Sequence, residues 1–266
     1  MKKTVLLLFG GKSPEHEISV KTAYNVASAI DQNRFDVELL GVSRSGTFEK
    51  LSLQKLKQLA TNHQEITKNC MKAIDDQASH QNTLEDISSN IISFPNTKKI
   101  DVVFPLLHGV QGEDGTPQGF LEMLSLPYVG CDVKSSSICM DKDITKRILS
   151  SYGIKAVPWV TLRDYDNIDF DAIIAQLGLP LFVKAAEQGS SIGCYKATNK
   201  ETLQDFIQKA FSYGRKVIIE KAIKGREIKC AILGNDNALI TSCLGEIIPS
   251  ENQEYYTYDA KYLDPN

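Results

Sequence analysis

The sequence lacks an excess of charge of either sign. Its 30 Lys and Arg residues nearly balance its 33 Asp and Glu residues, which gives a formal net charge of −3. Domains that bind nucleic acid usually carry a basic patch and a high pI. The nearly balanced charge indicates no broad basic patch, so we expect no nucleic-acid partner.

Long apolar runs are missing as well. No stretch approaches the ~20 apolar residues that a membrane helix needs, so we expect no membrane partner. The apolar run that starts at Thr4 and ends at Phe9 leads directly into Gly10, Gly11 and Lys12. A run this short, followed by glycines and charges, is typical of a buried first strand rather than of a signal peptide.

The six cysteines show no metal-binding or redox pattern. They form no C-x-x-C pair and have no histidine at zinc-ligand spacing. Scattered thiols of this kind are typical of reduced cysteines in a cytoplasmic protein. The G-x-G-x-x-G pattern of dinucleotide-binding folds and the Gly-Lys-Ser/Thr ending of a P-loop are also absent, so we predict neither site.

Strand and helix patterns alternate in the first half of the chain. Apolar strands at 4–9, 35–42 and 100–105 are accompanied by a helical pattern at 17–30, and 127–131 is predicted as a last strand. This βαβ pattern predicts an open, mainly parallel α/β sheet. The second half is richer in short strands, which predicts antiparallel pairing there.

The sequence around Lys184 indicates a phosphate site. Lys184 ends the apolar run 179–183, and a loop of small residues that includes Ser190 and Ser191 follows it as far as Gly193. Glycines let a backbone approach phosphate oxygens, serines and N–H groups donate to them, and the lysine adds a positive charge. An ordinary hairpin turn is the alternative.

Two further loops at predicted strand ends carry polar side chains. Glu15 and Glu17 stand at a predicted helix start, where they could be helix-dipole partners or could hold the ammonium group of a small substrate. His108 opens a loop rich in glycine and acidic residues that runs to 119. That histidine is either an ordinary loop residue or a substrate contact.

A third charged segment follows the apolar strand 217–219. Glu220 and Lys221 end this strand, and Glu227 lies a few residues further on. Carboxylates and backbone groups in such a segment could bind the ribose and the base of a nucleotide. A surface ion pair on a hairpin is the alternative.

Six segments, in this order and spacing, resemble the D-alanine–D-alanine ligases of the ATP-grasp superfamily. They are residues 10–19, 108–122, 136–142, 183–193, 219–227 and 256–262. The resemblance covers nearly the whole chain apart from a polar excursion at 54–90.

The resemblance implies a fold in which an N-terminal open parallel α/β domain of the pre-ATP-grasp type is followed by an incomplete ATP-grasp α+β region. The implied domains are the substrate-binding domain at 1–133, the ATP-grasp small subdomain at 134–224, and the start of the central domain with its lid loop at 225–266.

The implied activity is the ATP-dependent joining of two D-alanines for peptidoglycan precursor synthesis. In the family, one D-alanine carboxylate attacks the γ-phosphate of ATP, and the amine of the second D-alanine attacks the resulting D-alanyl phosphate. ATP, D-alanine, Mg²⁺ (or Mn²⁺) and a homodimer through the N-terminal domain are therefore expected. A D-serine second substrate is the alternative.

The resemblance also assigns roles to individual residues. Glu15, Ser190 and Tyr262 would be catalytic and, together with His108, would bind D-alanine. Glu220 with the backbone of Ala222 and Ile223 would line the adenine pocket, Glu227 would take the ribose, and Lys261 would lie on the lid. The full set of implied ATP ligands is Lys142, Lys184, Ser190, Ser191, Glu220, Lys221, Ala222, Ile223, Glu227 and Lys261.

The chain departs from the family pattern in two ways. Ala185, Thr257 and Asp259 replace residues that the family usually has, but none of these is an implied ligand. The family's metal ligands and an arginine that stabilises the tetrahedral intermediate would lie beyond Asn266. We therefore expect a truncated chain that is inactive by itself or acts as a nucleotide-binding fragment.

Overall fold

The computed structural model describes most of the chain, in four ranges: 2–61, 99–165, 167–235 and 238–248. Lys261, Tyr262 and most of the excursion at 54–90 lie outside these ranges. Within them, none of the helices combines the length and the apolar character that crossing a membrane requires.

The N-terminal part is a four-stranded sheet in the order β3-β2-β1-β4. Strand β1 pairs in parallel with β2 and with β4, whereas β3 is antiparallel to β2. The predicted mainly parallel sheet is therefore confirmed. Its elements are β1 (Lys3–Gly10), α1 (His16–Ala29), β2 (Phe35–Val42), β3 (Phe48–Lys50), α2 (Leu53–Thr61), β4 (Val102–Pro105) and α3 (Thr116–Met123).

Strand β1 is the centre of this part because nearly all of its side chains are apolar. Leu7 and Phe9 point into a core with α1 and α2, whereas Leu6 and Leu8 pack on the other face with Val103. Successive side chains of a strand point to opposite faces, so an uninterrupted apolar run fits a sheet that is covered on both sides.

The carboxyl ends of β1 and β4 lie at one edge of the sheet because the two strands are parallel. The fully buried Ser19 of α1 joins them: its hydroxyl accepts from the Gly10 N–H at 2.7 Å and donates to the Leu106 carbonyl at 2.5 Å. The loops that follow Gly10 and Leu106 therefore leave the sheet side by side. These are the loops that carry Glu15 and His108.

The strand predicted at 127–131 is wrong in extent. It is reduced to a single parallel bridge between Val103 and Tyr128. Val103 donates to the Pro127 carbonyl at 2.8 Å and accepts from Val129 at 2.9 Å. Gly130 then adopts a φ of +117°, which takes the chain out of the extended conformation and ends the pairing.

The second half of the chain folds around another four-stranded sheet, in the order β5-β8-β6-β7. All three of its pairings are antiparallel, as predicted. Two helices precede the sheet and two pack with it. The elements are α4 (Val133–Met140), α5 (Lys142–Ser151), β5 (Trp159–Leu162), α6 (Phe170–Leu177), β6 (Leu181–Ala185), β7 (Cys194–Ala197), α7 (Lys200–Phe211) and β8 (Val217–Lys221).

Four short strands follow: β9 (Glu227–Lys229), β10 (Ile232–Leu233), β11 (Ile240–Thr241) and β12 (Gly245–Ile247). The sequence predicts two longer strands here, at 227–233 and 239–247. Each predicted strand is divided in two where the Ala231 N–H donates to the Ser242 hydroxyl at 2.9 Å instead of to a backbone carbonyl. The result is two separate antiparallel pairs, β9 with β12 and β10 with β11.

Helix α7 begins with a capping box, in which the Asn199 side chain accepts from the Thr202 N–H at 2.8 Å and the Thr202 hydroxyl accepts from the Asn199 N–H at 3.2 Å. We expect Asn199→Ala to lower the free energy of unfolding by about 1 kcal/mol, because it leaves helix N–H groups unpaired. Urea unfolding followed by circular dichroism measures this loss. Asn33→Ala, at an exposed turn, is the control, and equal losses in both variants would contradict the capping role.

Candidate functional site

Glu15 lies at the meeting point of two distant loops. It is the N-cap residue of α1, it is only 4% exposed, and its N–H donates to the Ser13 hydroxyl at 3.1 Å. Its Oε1 accepts a hydrogen bond from the hydroxyl of Ser190, which lies 175 residues further along the chain in the loop between β6 and β7. The structure therefore brings together two of the predicted catalytic residues.

Gly109 makes room for the Glu15 carboxylate, and Gly189 lies beside it. A Cβ atom on Gly109, whose φ is +67°, would lie 2.1 Å from Glu15 Oε2, and a Cβ on Gly189 would lie 3.8 Å from it. The glycine-rich loop that follows β4 thus contributes a close backbone approach. Any side chain at position 109 would displace the carboxylate.

The loop after Lys184 connects β6 and β7 as an antiparallel hairpin. The hairpin that the sequence left as the alternative is therefore present. Ser190, Ser191 and Gly193 have φ values of +49°, +62° and +63°, so the loop winds through the left-handed region. This winding presents Ser190 to Glu15.

Lys142 fixes the base of the same loop. It is the first residue of α5, and its Nζ donates to the carbonyls of Gln188 and, at 3.4 Å, of Ala186. Burial lowers the pKa of Lys142, and the positive charge of Lys184 lowers it further. Two of the predicted ATP ligands are therefore close enough for their charges to interact.

Glu220 carries the opposite charge in this region. It is 7% exposed, and its carboxylate accepts from Lys184 at 2.5 Å and from Lys146 at 2.9 Å. Burial alone would raise the pKa of Glu220, but the two lysines outweigh it and hold that pKa below its usual value. Glu220 at the end of β8 is therefore buried with its lysine partners, and it does not form the surface ion pair that the sequence left as the alternative.

Other predicted residues lie at the edge of this arrangement. The backbone N–H groups of Lys221 and Ala222 donate to the carbonyls of Pro158 and Pro180, while Ile223 is 58% exposed and Glu227 is exposed on β9. His108 is half-buried, and its Nε2 lies 3.3 Å from the Thr22 hydroxyl. Tyr262 and Lys261 belong to the part of the chain that the structure does not describe.

Sequence reasoning missed two basic residues that hold the site. Arg44, in the turn between β2 and β3, pairs with Glu17 and donates to the Ser13 carbonyl at 3.2 Å, which supports the loop that carries Glu15. Lys146 was missed although its place one turn after Lys142 on α5 is a usable signal, since residues four apart share a helix face.

The described ranges contain no group of three or more His, Cys, Asp or Glu side chains that could hold a metal ion. The charged side chains of the site are instead the Glu15 carboxylate, which accepts from Ser190, and the Glu220 carboxylate, which pairs with two lysines. Such an arrangement suits an amino group at the first position and an anion near the second.

Comparison with known proteins identifies the family. The family model described as the D-ala D-ala ligase N-terminus matches residues 4–131, and the model of the D-ala D-ala ligase C-terminus matches residues 148–266. The chain belongs to the D-alanine–D-alanine ligase family. It is 42% identical over 269 residues to D-alanine–D-alanine ligase A of Salmonella typhimurium, covering 100% of this chain and 72% of that relative.

Solved structures of the ligase family share the fold. The D-alanine–D-alanine ligase of Coxiella burnetii superposes with a TM-score of 0.76 at 34% identity, over 94% of this chain and 73% of that one. The VanG D-Ala:D-Ser ligase of Enterococcus faecalis gives 0.75 at 32% identity, over 97% and 74%. A Bacillus anthracis D-alanine–D-alanine ligase complexed with ATP gives 0.59 at 28% identity, over 86% and 62%. The predicted fold class, an N-terminal parallel α/β part followed by an ATP-grasp region, is confirmed.

Proposed function

We propose that this ligase-family chain joins two D-alanines at the expense of ATP, through a D-alanyl phosphate intermediate. The observation that carries the proposal is the hydrogen bond from Ser190 to Glu15. This bond and the close approach of Gly109 bring the loop after β1, the loop after β4 and the β6–β7 hairpin around one buried carboxylate. Lys142 and Lys184 lie at the other end of the same hairpin.

The Glu15 end is suited to a small amino acid. A buried carboxylate attracts an ammonium group strongly, because little water screens the interaction. Ser190 orients that carboxylate, and the close approach of Gly109 limits the space beside it. We assign His108 and Tyr262 to the same amino-acid site on the family resemblance.

The lysine end is suited to a triphosphate. Lys142 and Lys184 would neutralise the phosphate oxygens, with the hairpin serines 190 and 191 as neighbouring donors. Glu220, Glu227 and the segment 221–223 would hold the base and ribose, and Lys261 would close over the phosphates. When bound, ATP supplies the phosphoryl group that makes a D-alanine carboxylate reactive toward an amine.

We propose that Mg²⁺ or Mn²⁺ enters the site bound to the phosphates of ATP. The described side chains do not form a cluster that fits Mg²⁺ or Mn²⁺, so the chemistry derived from them involves no metal step. A homodimer through residues 1–133 and a cytoplasmic location complete the proposal, on the strength of the family resemblance.

The test is phosphate release from ATP in magnesium buffer, with D-alanine added, withheld or replaced by L-alanine, and with the product identified by mass. We expect release that depends on D-alanine, with D-alanyl-D-alanine as the product. A mixed dipeptide as the main product when D-serine is added would favour the D-serine alternative. Nucleotide binding in calorimetry without any D-alanine-dependent release would contradict the proposal and favour the inactive nucleotide-binding fragment that the comparison of sequence motifs implies.

A further inference from the structure

Glu220 has two lysine partners, one on each carboxylate oxygen. Lys184 binds Oε2 and Lys146 binds Oε1. The proposed ATP site requires that Lys184 face phosphate and that Glu220 face the base. If Lys184 were the only cation near Glu220, its turn toward phosphate would leave the Glu220 carboxylate buried without a cation, which is strongly unfavourable. A second cation is therefore needed.

Lys146 is the more firmly held of the two lysines. Its side chain is 14% exposed, against 26% for Lys184. Its Nζ also donates to the Val157 carbonyl at 3.1 Å and lies 5.2 Å from the centre of the Trp159 ring. Asp143 in turn fixes that ring, since it accepts from the indole N–H at 3.1 Å.

The surrounding elements keep Lys146 and Glu220 in register. Trp159 on β5 lies directly opposite Glu220 on β8 in the antiparallel pair. Asp143 also accepts from the Thr161 hydroxyl at 2.7 Å, so one carboxylate attaches α5 to β5 at two points. Burial would raise the pKa of Asp143, but its hydrogen bonds with Thr161, Trp159 and Arg147 hold it below the usual value. The charged form that attaches the helix is therefore favoured.

Lys184 and Lys146 thus both bind the one buried carboxylate of Glu220. We propose that Lys146 is a positioning residue of the nucleotide site, which holds Glu220 and balances its charge when Lys184 turns to the phosphates of ATP. The inference rests on the proposed function, because it requires that ATP bind between Lys184 and Glu220.

Calorimetry of the full chain with the non-hydrolysable analogue AMP-PNP and magnesium tests this role. We expect Lys146→Met to weaken binding about tenfold or more, and Lys146→Arg, which keeps the charge, to stay within about threefold of the wild type. Lys146→Gln keeps a donor for Glu220 and Val157 without the charge, and we expect it to weaken binding as Met does. The Lys146→Gln variant is the test of the missing charge if the Lys146→Met variant fails to fold.

A double-mutant cycle separates positioning from a general structural effect. If Lys146 acts through Glu220, then adding Lys146→Met to a Glu220→Gln chain weakens AMP-PNP binding by no more than about twofold. The full loss in both backgrounds would overturn the proposal. Lys209→Met, which removes an exposed lysine from α7, is the matched control for charge.

The outcomes distinguish this inference from the proposed function. A wild-type chain that does not bind AMP-PNP contradicts the proposed ATP site itself. A wild-type chain that binds it, together with Met and Gln variants that bind equally well, leaves the ATP site standing and overturns the role of Lys146.

Discussion

Replacing Glu15 by Gln is expected to lower kcat/KM for D-alanine by about 100-fold or more, since loss of one partner of a buried charge pair costs about 2–5 kcal/mol. Glutamine has nearly the same shape and still accepts from Ser190, so the change removes the charge and little else. The affinity for AMP-PNP should stay unchanged, because Glu15 lies where we propose that the amino acid binds rather than the nucleotide. Steady-state kinetics and calorimetry measure the two quantities.

The control for this prediction is Glu122→Gln. Glu122 is exposed on α3 and accepts from the Tyr128 hydroxyl at 2.8 Å, away from Glu15. The same change of charge there should leave kcat/KM within about twofold. A Glu15→Gln chain that keeps the wild-type dependence on D-alanine would show that Glu15 is only the N-cap of α1. The assignment of the amino-acid site would then be wrong.

The parts of the fold that could be predicted from sequence are those with a strong local pattern. Strand β1 is an apolar run that ends at two glycines, and α1 shows helical periodicity, so both were predicted to within one or two residues. Helix α4 was not predicted because its apolar pattern is weak. The available signal was its cap: the Asp132 carboxylate accepts from the Ser135 N–H at 2.7 Å, a favourable N-cap pattern.

The candidate site shows the same division. Glu15, Lys184 and Glu220 each follow a predicted strand, so each could be recognised separately as a candidate site residue. No local pattern predicts the pairing of Glu15 with Ser190, because it joins loops from two different sheets. Only the family resemblance, in which Ser190 matches the serine that bridges Glu15 to a tyrosine, implies it. Lys146 is hidden for another reason: a lysine on an amphipathic helix ordinarily faces water, and its burial depends on how α5 packs against β5.

Lys216→Met is expected to lower the free energy of unfolding by about 3–5 kcal/mol, because it leaves a buried carboxylate without its cation. Lys216 precedes β8 and forms an ion pair with Asp141, and both side chains are 7% exposed. Asp141 is also the N-cap of α5, where it accepts from the Asp143 N–H at 3.0 Å. The pair thus attaches the helix that carries Lys142 and Lys146 to the sheet that carries Lys184 and Glu220.

Urea unfolding measures the loss, with Lys209→Met as the control for removal of an exposed lysine. Adding Asp141→Asn to the Lys216→Met chain should recover part of the stability, since a neutral amide no longer needs a cation while it can still accept from the helix N–H groups. A loss below about 1 kcal/mol in the single variant would place the pair among weak surface ion pairs. In that case the attachment of α5 to the sheet would rest on Asp143 and its bonds to Trp159 and Thr161.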